Sequence, residues 1–292
     1  MQFFAQNVVI LGAGLLGGSL GMAMRQRNLA AKVSVWSPSE STRAACAKTN
    51  WCGTVYSSPE EACQEADFVI FCGPVDTIPP LMKRLAPICR PDCLLTDVGS
   101  TKARICAAGD QYFSGSRKAT FIGSHPMAGS EKSGLPHAEA KLFEGKTCIL
   151  TPADAPLEPL RRLRSFWSAL GMTLFECLPE EHDRIVAQVS HLPHALAAAL
   201  CANLSDHPAE WKDCAGSGLR DSSRIAAGDP RLWSAIFREN ESAFRESLSN
   251  FRKALAELES ALDEKGDESL LQFLTKARDY RIQLNRGDSC DE

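Results

Sequence analysis

The sequence has no cysteine pair spaced as C-x-x-C, no paired cysteine and histidine spacing, and no long block of like charge. Its 12 cysteines are scattered, so we expect reduced and mostly buried thiols rather than a zinc site. The 36 acidic residues against 32 basic ones give a formal net charge of -4. Because no basic patch accompanies this balance, nucleic acid is not an expected partner.

Long apolar runs are also missing. No segment approaches 18 uninterrupted apolar residues, and the first residues, MQFFAQNVVILGAG, lack the basic region of a signal peptide. We therefore expect a cytoplasmic protein without a membrane partner. The 292 residues, 44% of them hydrophobic, are enough for two packed domains.

The first motif with a chemical meaning is NVVILGAGLLGGSLGMAMRQR, at residues 7–27. Residues 8–11 form an apolar run typical of a central parallel strand, and Gly12, Gly14 and Gly17 follow in a G-x-G-x-x-G pattern. The first glycine permits the tight turn, the second the approach of a pyrophosphate, and the third close packing of helix on strand. We therefore predict a dinucleotide site, with its pyrophosphate at the helix N-terminus, rather than a merely structural turn.

The choice of dinucleotide depends on the end of the next predicted strand, at residues 32–37. Ser37 stands where an acidic residue usually binds the ribose hydroxyls, about 20 positions after Gly17. The missing carboxylate and the nearby Arg43 favour NADP. Glu40, however, could still reach the ribose and keep NAD, so the predicted cofactor is NADP or NAD, with NADP favoured.

Buried strands that end in small or polar residues recur through the first half of the chain. They are predicted at residues 66–74, 93–102 and 119–126, and two more at 146–152 and 172–177. Ligands of an open α/β sheet gather at the carboxyl ends of its strands. The predicted cofactor-binding residues are Gly12, Gly14, Leu15, Leu16, Gly17, Ser37, Arg43, Gly73, Pro74 and Gly99.

Strand patterns stop after about residue 178. Residues 179–204 predict one long helix that Pro193 kinks, and an apolar stripe from Trp233 to Leu262 predicts another. That stripe suits packing against other helices or a second subunit, although a purely intramolecular core remains an alternative. The predicted fold class is α/β: a Rossmann-like domain with a mostly parallel sheet at 1–178, then an all-helical dimerisation domain at 179–292.

The segment FIGSHPMAGSEKSG, residues 121–134, contains a histidine at the predicted end of a strand. A lone histidine there is usually a packing or hydrogen-bonding residue. His125 would, however, lie at the edge of the sheet that holds the cofactor, among small residues that leave room for a substrate. A neutral imidazole suits hydride transfer from an alcohol, because it can accept the hydroxyl proton. From the residues alone, a structural and a catalytic role both remain open.

Five segments, in order along the chain, resemble the prephenate and arogenate dehydrogenases of tyrosine biosynthesis. They are GAGLLGGSL, DVGSTK, GSHPMAGSEKSG, HDRIVAQVSHLPHALAAAL and RDSSRIAAGDPRLWSAIFREN. The resemblance implies an enzyme with a dinucleotide-binding domain and a helical domain that forms a homodimer. It also implies oxidative decarboxylation of prephenate or arogenate, with hydride transfer to NAD(P), giving 4-hydroxyphenylpyruvate or tyrosine.

The same resemblance implies roles for six residues. His125 would take the hydroxyl proton, and Ser100 would help orient this pair, although Ser100 could equally be a helix N-cap. The residues implied to bind the substrate are Ser130, Ser190, His194 and Arg224. Arg224 would bind a substrate carboxylate, since its planar fork suits bidentate recognition.

The roles of four neighbouring residues are left open, namely Glu131, Lys132, His191 and Arg220. Arg220 could form only a surface ion pair, and His191 is more typical of a core or capping histidine. No third ligand at metal-binding spacing accompanies the pair His191 and His194, so no metal is predicted.

Two other classes of protein remain possible from the sequence. One is a different two-domain NADP-dependent hydroxy-acid dehydrogenase, which would rely on a lysine in the helical domain; Lys212 is the only lysine between Lys146 and Lys253. The other is a cofactor-binding regulator without turnover, which would not need His125, Ser100 and Arg224. The choice between prephenate and arogenate is also open, because one or two contacts decide it.

Overall fold

The computed structural model describes residues 4–115, 119–129, 132–263 and 266–286. Within these residues the chain forms nine strands: β1 (Ala5–Leu11), β2 (Ala30–Trp36), β3 (Thr54–Val55), β4 (Phe68–Phe71), β5 (Leu94–Asp97), β6 (Thr120–Phe121), β7 (Gly123–Pro126), β8 (Thr147–Thr151) and β9 (Thr173–Glu176). The first six form one parallel sheet in the order β3-β2-β1-β4-β5-β6, typical of a dinucleotide-binding domain. A second sheet has the order β7-β8-β9.

Twelve α-helices are present in the described residues: α1 (Leu15–Gln26), α2 (Glu40–Cys46), α3 (Pro59–Cys63), α4 (Ile78–Leu85), α5 (Ala103–Phe113), α6 (Leu157–Ala169), α7 (Pro179–Val186), α8 (Leu192–Ser205), α9 (Ser217–Ser223), α10 (Pro230–Glu239), α11 (Glu241–Asp263) and α12 (Glu268–Arg286). Every described strand precedes α7, as the sequence predicted. The Rossmann-like sheet followed by a helical part is therefore confirmed.

Both faces of the larger sheet are buried. Val8 and Ile10 of β1 belong to one apolar cluster, which Trp167 of α6 helps to cover. Val9 and Leu11 belong to a second cluster on the opposite face, with residues of α4 and α5. Because successive side chains of a strand point to opposite faces, a strand that is apolar at every position requires cover on both sides.

The strand predicted over residues 119–126 is divided between the two sheets. Its first part, β6, pairs with β5, whereas β7 pairs antiparallel with β8. Gly123 lies at the crossing, where an added Cβ would be 2.3 Å from Oγ1 of Thr151 and 2.8 Å from Sγ of Cys106. The prediction of one continuous strand was wrong, because the chain changes sheets at this crowded glycine.

The predicted helix at 179–204 is a single helical segment, Pro179–Ser205, with a wide turn inside it. Pro193 has no N–H to donate to the carbonyl four residues earlier, and residues Ala187–His191 just before it form a π-helical turn. By length and composition alone this segment could also cross a membrane, with a mean hydropathy of 1.4 in its apolar window. Four of its polar side chains are nevertheless buried within the protein, namely His182, Asp183, His191 and His194.

The apolar stripe from Trp233 to Leu262 lies on two helices, α10 and α11, rather than on one. Asn240 separates them, with φ -115° and ψ 32°. Its buried side chain donates to the carbonyl oxygen of Asp183 at 2.7 Å, which fixes the break against α7. Periodicity alone could not predict this break, because the apolar spacing continues across it.

The chain divides into two compact units, residues 1–241 and 242–292. The functional boundary predicted near residue 178 lies inside the first unit. Residues after 178 pack closely there, since Asp183 of α7 bonds the start of α5 and Ile236 of α10 joins the second apolar cluster. The second unit consists of most of α11 and of α12.

Eleven cysteines lie in the described residues, and all of them are free thiols. Five are buried, four are partly buried, and Cys201 and Cys214 are exposed, so burial is less complete than we expected. Among the same residues, no group of three or more histidine, cysteine, aspartate or glutamate side chains is placed to hold a metal ion.

Candidate active site

The loop between β1 and α1 has the geometry of a glycine-rich phosphate turn. Gly12 has φ +105°, and an added Cβ would lie 3.0 Å from backbone atoms of Cys72 and Gly73. At Gly17 an added Cβ would lie 2.1 Å from the Gly12 carbonyl oxygen. At Gly14, the N-cap of α1, no heavy atom of the described residues instead lies within 4 Å of an added Cβ. This open side at a helix N-terminus fits a pyrophosphate group.

We expect alanine at these two glycines to have different effects. Gly17→Ala should destabilise the fold by about 1–3 kcal/mol, because the methyl group overlaps a backbone oxygen. Gly14→Ala should fold normally but bind NAD(P) about tenfold more weakly, because the methyl group occupies the space left for the pyrophosphate. Thermal unfolding and fluorescence titration of NADH and NADPH measure the two effects. Wild-type affinity in Gly14→Ala would exclude a pyrophosphate from this position.

Other predicted cofactor residues follow the ends of adjacent strands. Leu15 and Leu16 open α1 after β1, Gly73 and Pro74 come after β4, and the buried Gly99 comes after β5. Since β1, β4 and β5 are neighbours in the parallel sheet, their carboxyl ends lie side by side. The residues named from sequence therefore line one edge of the sheet.

The end of β2 carries groups suited to both candidate cofactors. Ser37 is 5% exposed, and Nη1 of Arg43 donates to its carbonyl oxygen at 2.5 Å and to that of Pro38 at 3.1 Å. Glu40, the first residue of α2, is exposed. The cation suits a 2′-phosphate, and the carboxylate suits free ribose hydroxyls.

His125 lies in β7, where it is 8% exposed. The preceding residue, Ser124, donates from its backbone N to Oδ1 of Asp97 at 3.1 Å and from Oγ to the Asp97 carbonyl at 2.6 Å. Asp97 also forms a fully buried ion pair with Lys102 and accepts the N–H of Gly99 at 2.8 Å. These bonds tie the carboxyl end of β5, a predicted part of the cofactor site, to the strand that carries His125.

A chain of hydrogen bonds runs from His125 into the helical part. Nδ1 of His125 lies 2.9 Å from Nε2 of His182, and Nδ1 of His182 lies 2.8 Å from Oδ1 of Asp183. The Asp183 carboxylate also accepts the backbone N–H groups of Lys102 at 2.7 Å and Ala103 at 2.9 Å. Asp183 thus satisfies donors at the start of α5 and is fixed by them.

Ser100 lies between β5 and α5 and is half-buried. It is not the N-cap of α5, because that position belongs to Lys102. The N-cap alternative was therefore wrong, and Asp183 supplies the bonds that a capping side chain would have made.

Burial and nearby charges favour neutral histidines in this chain. Desolvation lowers the pKa of His125 well below its usual value, and His182 and the Lys102 ammonium lower it further. Burial also lowers the pKa of His182, although its bond to Asp183 opposes that shift. For Asp183, burial alone would raise the pKa, but hydrogen bonds from His182 and two backbone groups outweigh it and keep the carboxyl ionised.

A second group of rings lies on α8 and α10. The ring of His194 stacks on that of Trp233, with centroids 3.5 Å apart and an angle of 12°. An added Cβ at Gly228 would lie 2.7 Å from Nε1 of Trp233, so this glycine permits the close approach. Nδ1 of His194 is buried and has no hydrogen-bond partner among the residues that the structure describes.

The remaining predicted site residues have different environments. Ser190 is half-buried in the π-helical turn, and Arg224 is exposed at the start of the 3₁₀ turn Arg224–Ala227, which packs against α8. Ser130 and Glu131 lie outside the described residues, while Lys132 and Arg220 are exposed. His191 is fully buried and 3.3 Å from Nδ2 of Asn240, as the core interpretation expects.

Sequence reasoning missed His182, Asp183, Asp97 and Lys102. These side chains are all buried, although charged residues are rarely buried unless they are paired. His182 and Asp183 lie among the charged residues Glu180, Glu181 and Arg184, so the sequence pattern of α7 gave no sign that they are buried. Their partner could not be identified, since 57 residues separate His125 from His182.

A dinucleotide-type sheet beside a buried, neutral histidine chain defines the class of nicotinamide-dependent oxidoreductases. Two family models match the chain: the nucleotide-binding domain of prephenate dehydrogenase over residues 20–176, and its dimerization domain over residues 178–276. The chain belongs to the prephenate dehydrogenase family.

Individual relatives agree with this membership. A prephenate dehydrogenase of Lactococcus lactis is 34% identical over 80% of this chain, which spans 65% of the length of that relative. A cyclohexadienyl dehydrogenase of Zymomonas mobilis is 30% identical, with 96% of each chain covered. The crystal structure of Aquifex aeolicus prephenate dehydrogenase with hydroxyphenyl propionate and NAD+ has a TM-score of 0.88 and 30% identity, covering 96% of this chain and 98% of its own.

Proposed function

We propose that the protein oxidatively decarboxylates prephenate, arogenate or both, with hydride transfer to NAD(P). Prephenate would give 4-hydroxyphenylpyruvate, and arogenate would give tyrosine. The observation that carries this proposal is the buried His125, whose Nδ1 bonds His182 while Nε2 remains for a substrate hydroxyl. Membership of the prephenate dehydrogenase family supports the same reaction.

In this reaction the protein binds, orients and moves one proton. NAD(P), when bound, supplies the hydride acceptor, and the turn at Gly12, Gly14 and Gly17 would hold its pyrophosphate. His125 accepts the proton of the ring hydroxyl at Nε2 while the carbon that bears the hydroxyl is oxidised. The ring carboxylate then leaves as carbon dioxide, the ring becomes aromatic, and the proton returns to the phenolic oxygen. The overall reaction therefore releases no proton from this hydroxyl.

We assign substrate binding to the residues that the family resemblance implies. Ser100 orients the pair of His125 and substrate hydroxyl, and His194, whose Nδ1 has no hydrogen-bond partner in the described part of the chain, contacts the substrate. Arg224 binds a carboxylate through its guanidinium. Ser190 and Ser130 complete the proposed set by resemblance.

The helical part is proposed to provide a dimer interface as well as substrate contacts. Residues 198–203 of α8 are exposed and mostly apolar, AALCAN, and they lie in the match to the dimerization domain. This surface suits a second copy of the chain better than solvent. We assign cofactor binding to residues 1–178, substrate binding and dimerisation to 179–292, and a cytoplasmic location.

A two-by-two assay tests the proposed activity. The purified protein is mixed with prephenate or arogenate and with NAD or NADP, and absorbance at about 340 nm reports reduced cofactor. Turnover in at least one mixture is expected. If all four fail while 3-hydroxy acids are oxidised, the alternative hydroxy-acid dehydrogenase is correct; binding of cofactor without any turnover favours a regulator.

Ser37→Asp tests the basis of cofactor choice. A carboxylate at the end of β2 should repel a 2′-phosphate and bind ribose hydroxyls, so the ratio of kcat/KM for NADP to that for NAD should fall at least about tenfold. Ser39→Asp is the matched control, because Ser39 is the N-cap of α2 and aspartate caps equally well. Equal shifts in both variants would show that added charge, not contact at position 37, sets the preference.

A further inference from the structure

His182 and Asp183 form the part of the hydrogen-bond chain that lies behind His125 in the helical part. Both side chains are buried, at 0% and 5% exposure. Asp183 is held in place from two sides, since Oδ1 accepts from Lys102 N and Oδ2 from Ala103 N. Asn240 holds its backbone by donating to the Asp183 carbonyl at 2.7 Å. The carboxylate therefore has one fixed orientation toward His182.

Hydrogen-bond matching along this chain assigns the tautomer of each ring. An ionised carboxylate can only accept, so Nδ1 of His182, 2.8 Å from Asp183, must carry its proton. The Nε2 atom of a neutral His182 then has a lone pair, and Nδ1 of His125, 2.9 Å away, must donate to it. The remaining nitrogen of His125, Nε2, consequently has a lone pair and is the basic atom.

We propose that Asp183 and His182 are positioning residues that hold His125 in the tautomer with a basic Nε2 and stabilise its protonated form. The effect of this arrangement on kcat rests on the proposed function. While His125 holds the substrate proton at Nε2, its Nδ1–H bond to His182 strengthens and the Asp183 carboxylate offsets the new positive charge. When the ring becomes aromatic, the proton leaves Nε2 for the phenolic oxygen and the chain returns to its starting state.

Asp183→Asn should weaken this arrangement. Oδ1 of Asp183 accepts from both Lys102 N and Nδ1 of His182, and Oδ2 accepts from Ala103 N, so an amide NH₂ group in either orientation faces a backbone N–H. The negative charge that stabilises protonated His125 is also lost. We expect kcat to fall about 100-fold with KM and cofactor affinity within about threefold of wild type.

The pH profile separates this effect from a structural one. Loss of the carboxylate should move the acid limb of kcat to lower pH, because the proton taken up by His125 is shared along its bond to His182, whose pKa Asp183 raises. The other titratable groups facing the two rings are Lys102, Asp97, His191 and Cys148, and all are kept in the variant.

Asp67→Asn is the matched control. The Asp67 carboxylate also accepts two consecutive backbone N–H groups, those of Gln6 at 2.8 Å and Asn7 at 3.0 Å, at the opposite end of the sheet. The Asp67→Asn variant should have a lower stability but an unchanged kcat and an unchanged pH profile of kcat. Equal loss of kcat in both variants would overturn the proposal.

Two substitutions of His182 test the hydrogen bond itself. Glutamine offers an amide oxygen that can accept from Nδ1 of His125, whereas leucine cannot. His182→Gln should retain at least about tenfold more kcat than His182→Leu. Equal activity of two folded variants would overturn the proposal.

Nitrogen-15 NMR of the histidine rings gives a test that does not require turnover. The wild-type protein should show His125 protonated at Nδ1 with an unprotonated Nε2. A proton on Nε2 in the wild type would overturn the proposal. Failure of the substrate assay with the expected NMR pattern would instead reject only the proposed function.

Discussion

His125→Asn is expected to reduce kcat by about 10²- to 10⁴-fold, the usual contribution of a general base. Asparagine can still donate to Nε2 of His182, but it offers no basic nitrogen to the substrate hydroxyl. Cofactor affinity should change little, since the glycine turn of the first strand and helix is unaltered. Steady-state kinetics with the preferred substrate and fluorescence titration of the reduced cofactor measure the two quantities separately.

His207→Asn is the control for this substitution. His207 is exposed after α8, where its ring stacks on Trp211 with centroids 4.6 Å apart. The same chemical change there should leave kcat and the melting temperature close to wild type. An unchanged kcat in a folded His125→Asn protein would remove His125 from the reaction, and the proposed function would lose its main support.

The low pKa of His125 has a consequence for the pH dependence of this effect. Because burial, His182 and Lys102 all disfavour the protonated ring, His125 stays neutral well below its usual titration range. A base must be unprotonated to act, so kcat should be lost only at acid pH and remain level through neutrality. His125 is therefore unprotonated at neutral pH, although its low pKa also makes it a weaker base.

Local sequence was sufficient to predict the first strand, the glycine turn and the first helix, because neighbouring residues determine them. Residues 8–11 and the three glycines predicted a strand, a turn and a helix, because each glycine meets a constraint set within a few residues or by the adjoining strand. Burial of β1 on both faces likewise follows from its uninterrupted apolar run. Periodicity could not assign a role to residues such as Arg224, and only the family resemblance implied one.

The missed features depend on contacts between distant parts of the chain. The chain changes sheets at Gly123, where Thr151 and Cys106 leave no room for a side chain, and the carbonyl of Asp183 fixes the helix break at Asn240. Neither partner is near in sequence, so local propensity could not predict them. The hydrogen bonds from His125 through His182 to Asp183 also join residues that are distant in sequence. The predicted site therefore included His125 but not His182 or Asp183.

Arg224→Ala should mainly raise KM, because it removes a guanidinium from a substrate carboxylate. Loss of a partner for a desolvated charge costs about 2–4 kcal/mol, or roughly 30- to 900-fold in KM, and kcat should change much less. Arg224→Lys keeps the positive charge but lacks the planar guanidinium, so its KM should lie between those of the wild type and Arg224→Ala. Initial rates at varied substrate concentration separate KM from kcat.

The size of this effect also tests where the arginine acts. Arg220, one helical turn earlier on α9, is exposed like Arg224 and supplies the matched charge deletion. Arg220→Ala should leave KM within about threefold of wild type, as is usual for a surface charge. If the two alanine variants raise KM equally, the substrate senses only the general positive charge of this segment. A specific increase for Arg224, at an unchanged melting temperature, supports direct contact with a carboxylate, since long-range attraction cannot distinguish two exposed arginines one turn apart.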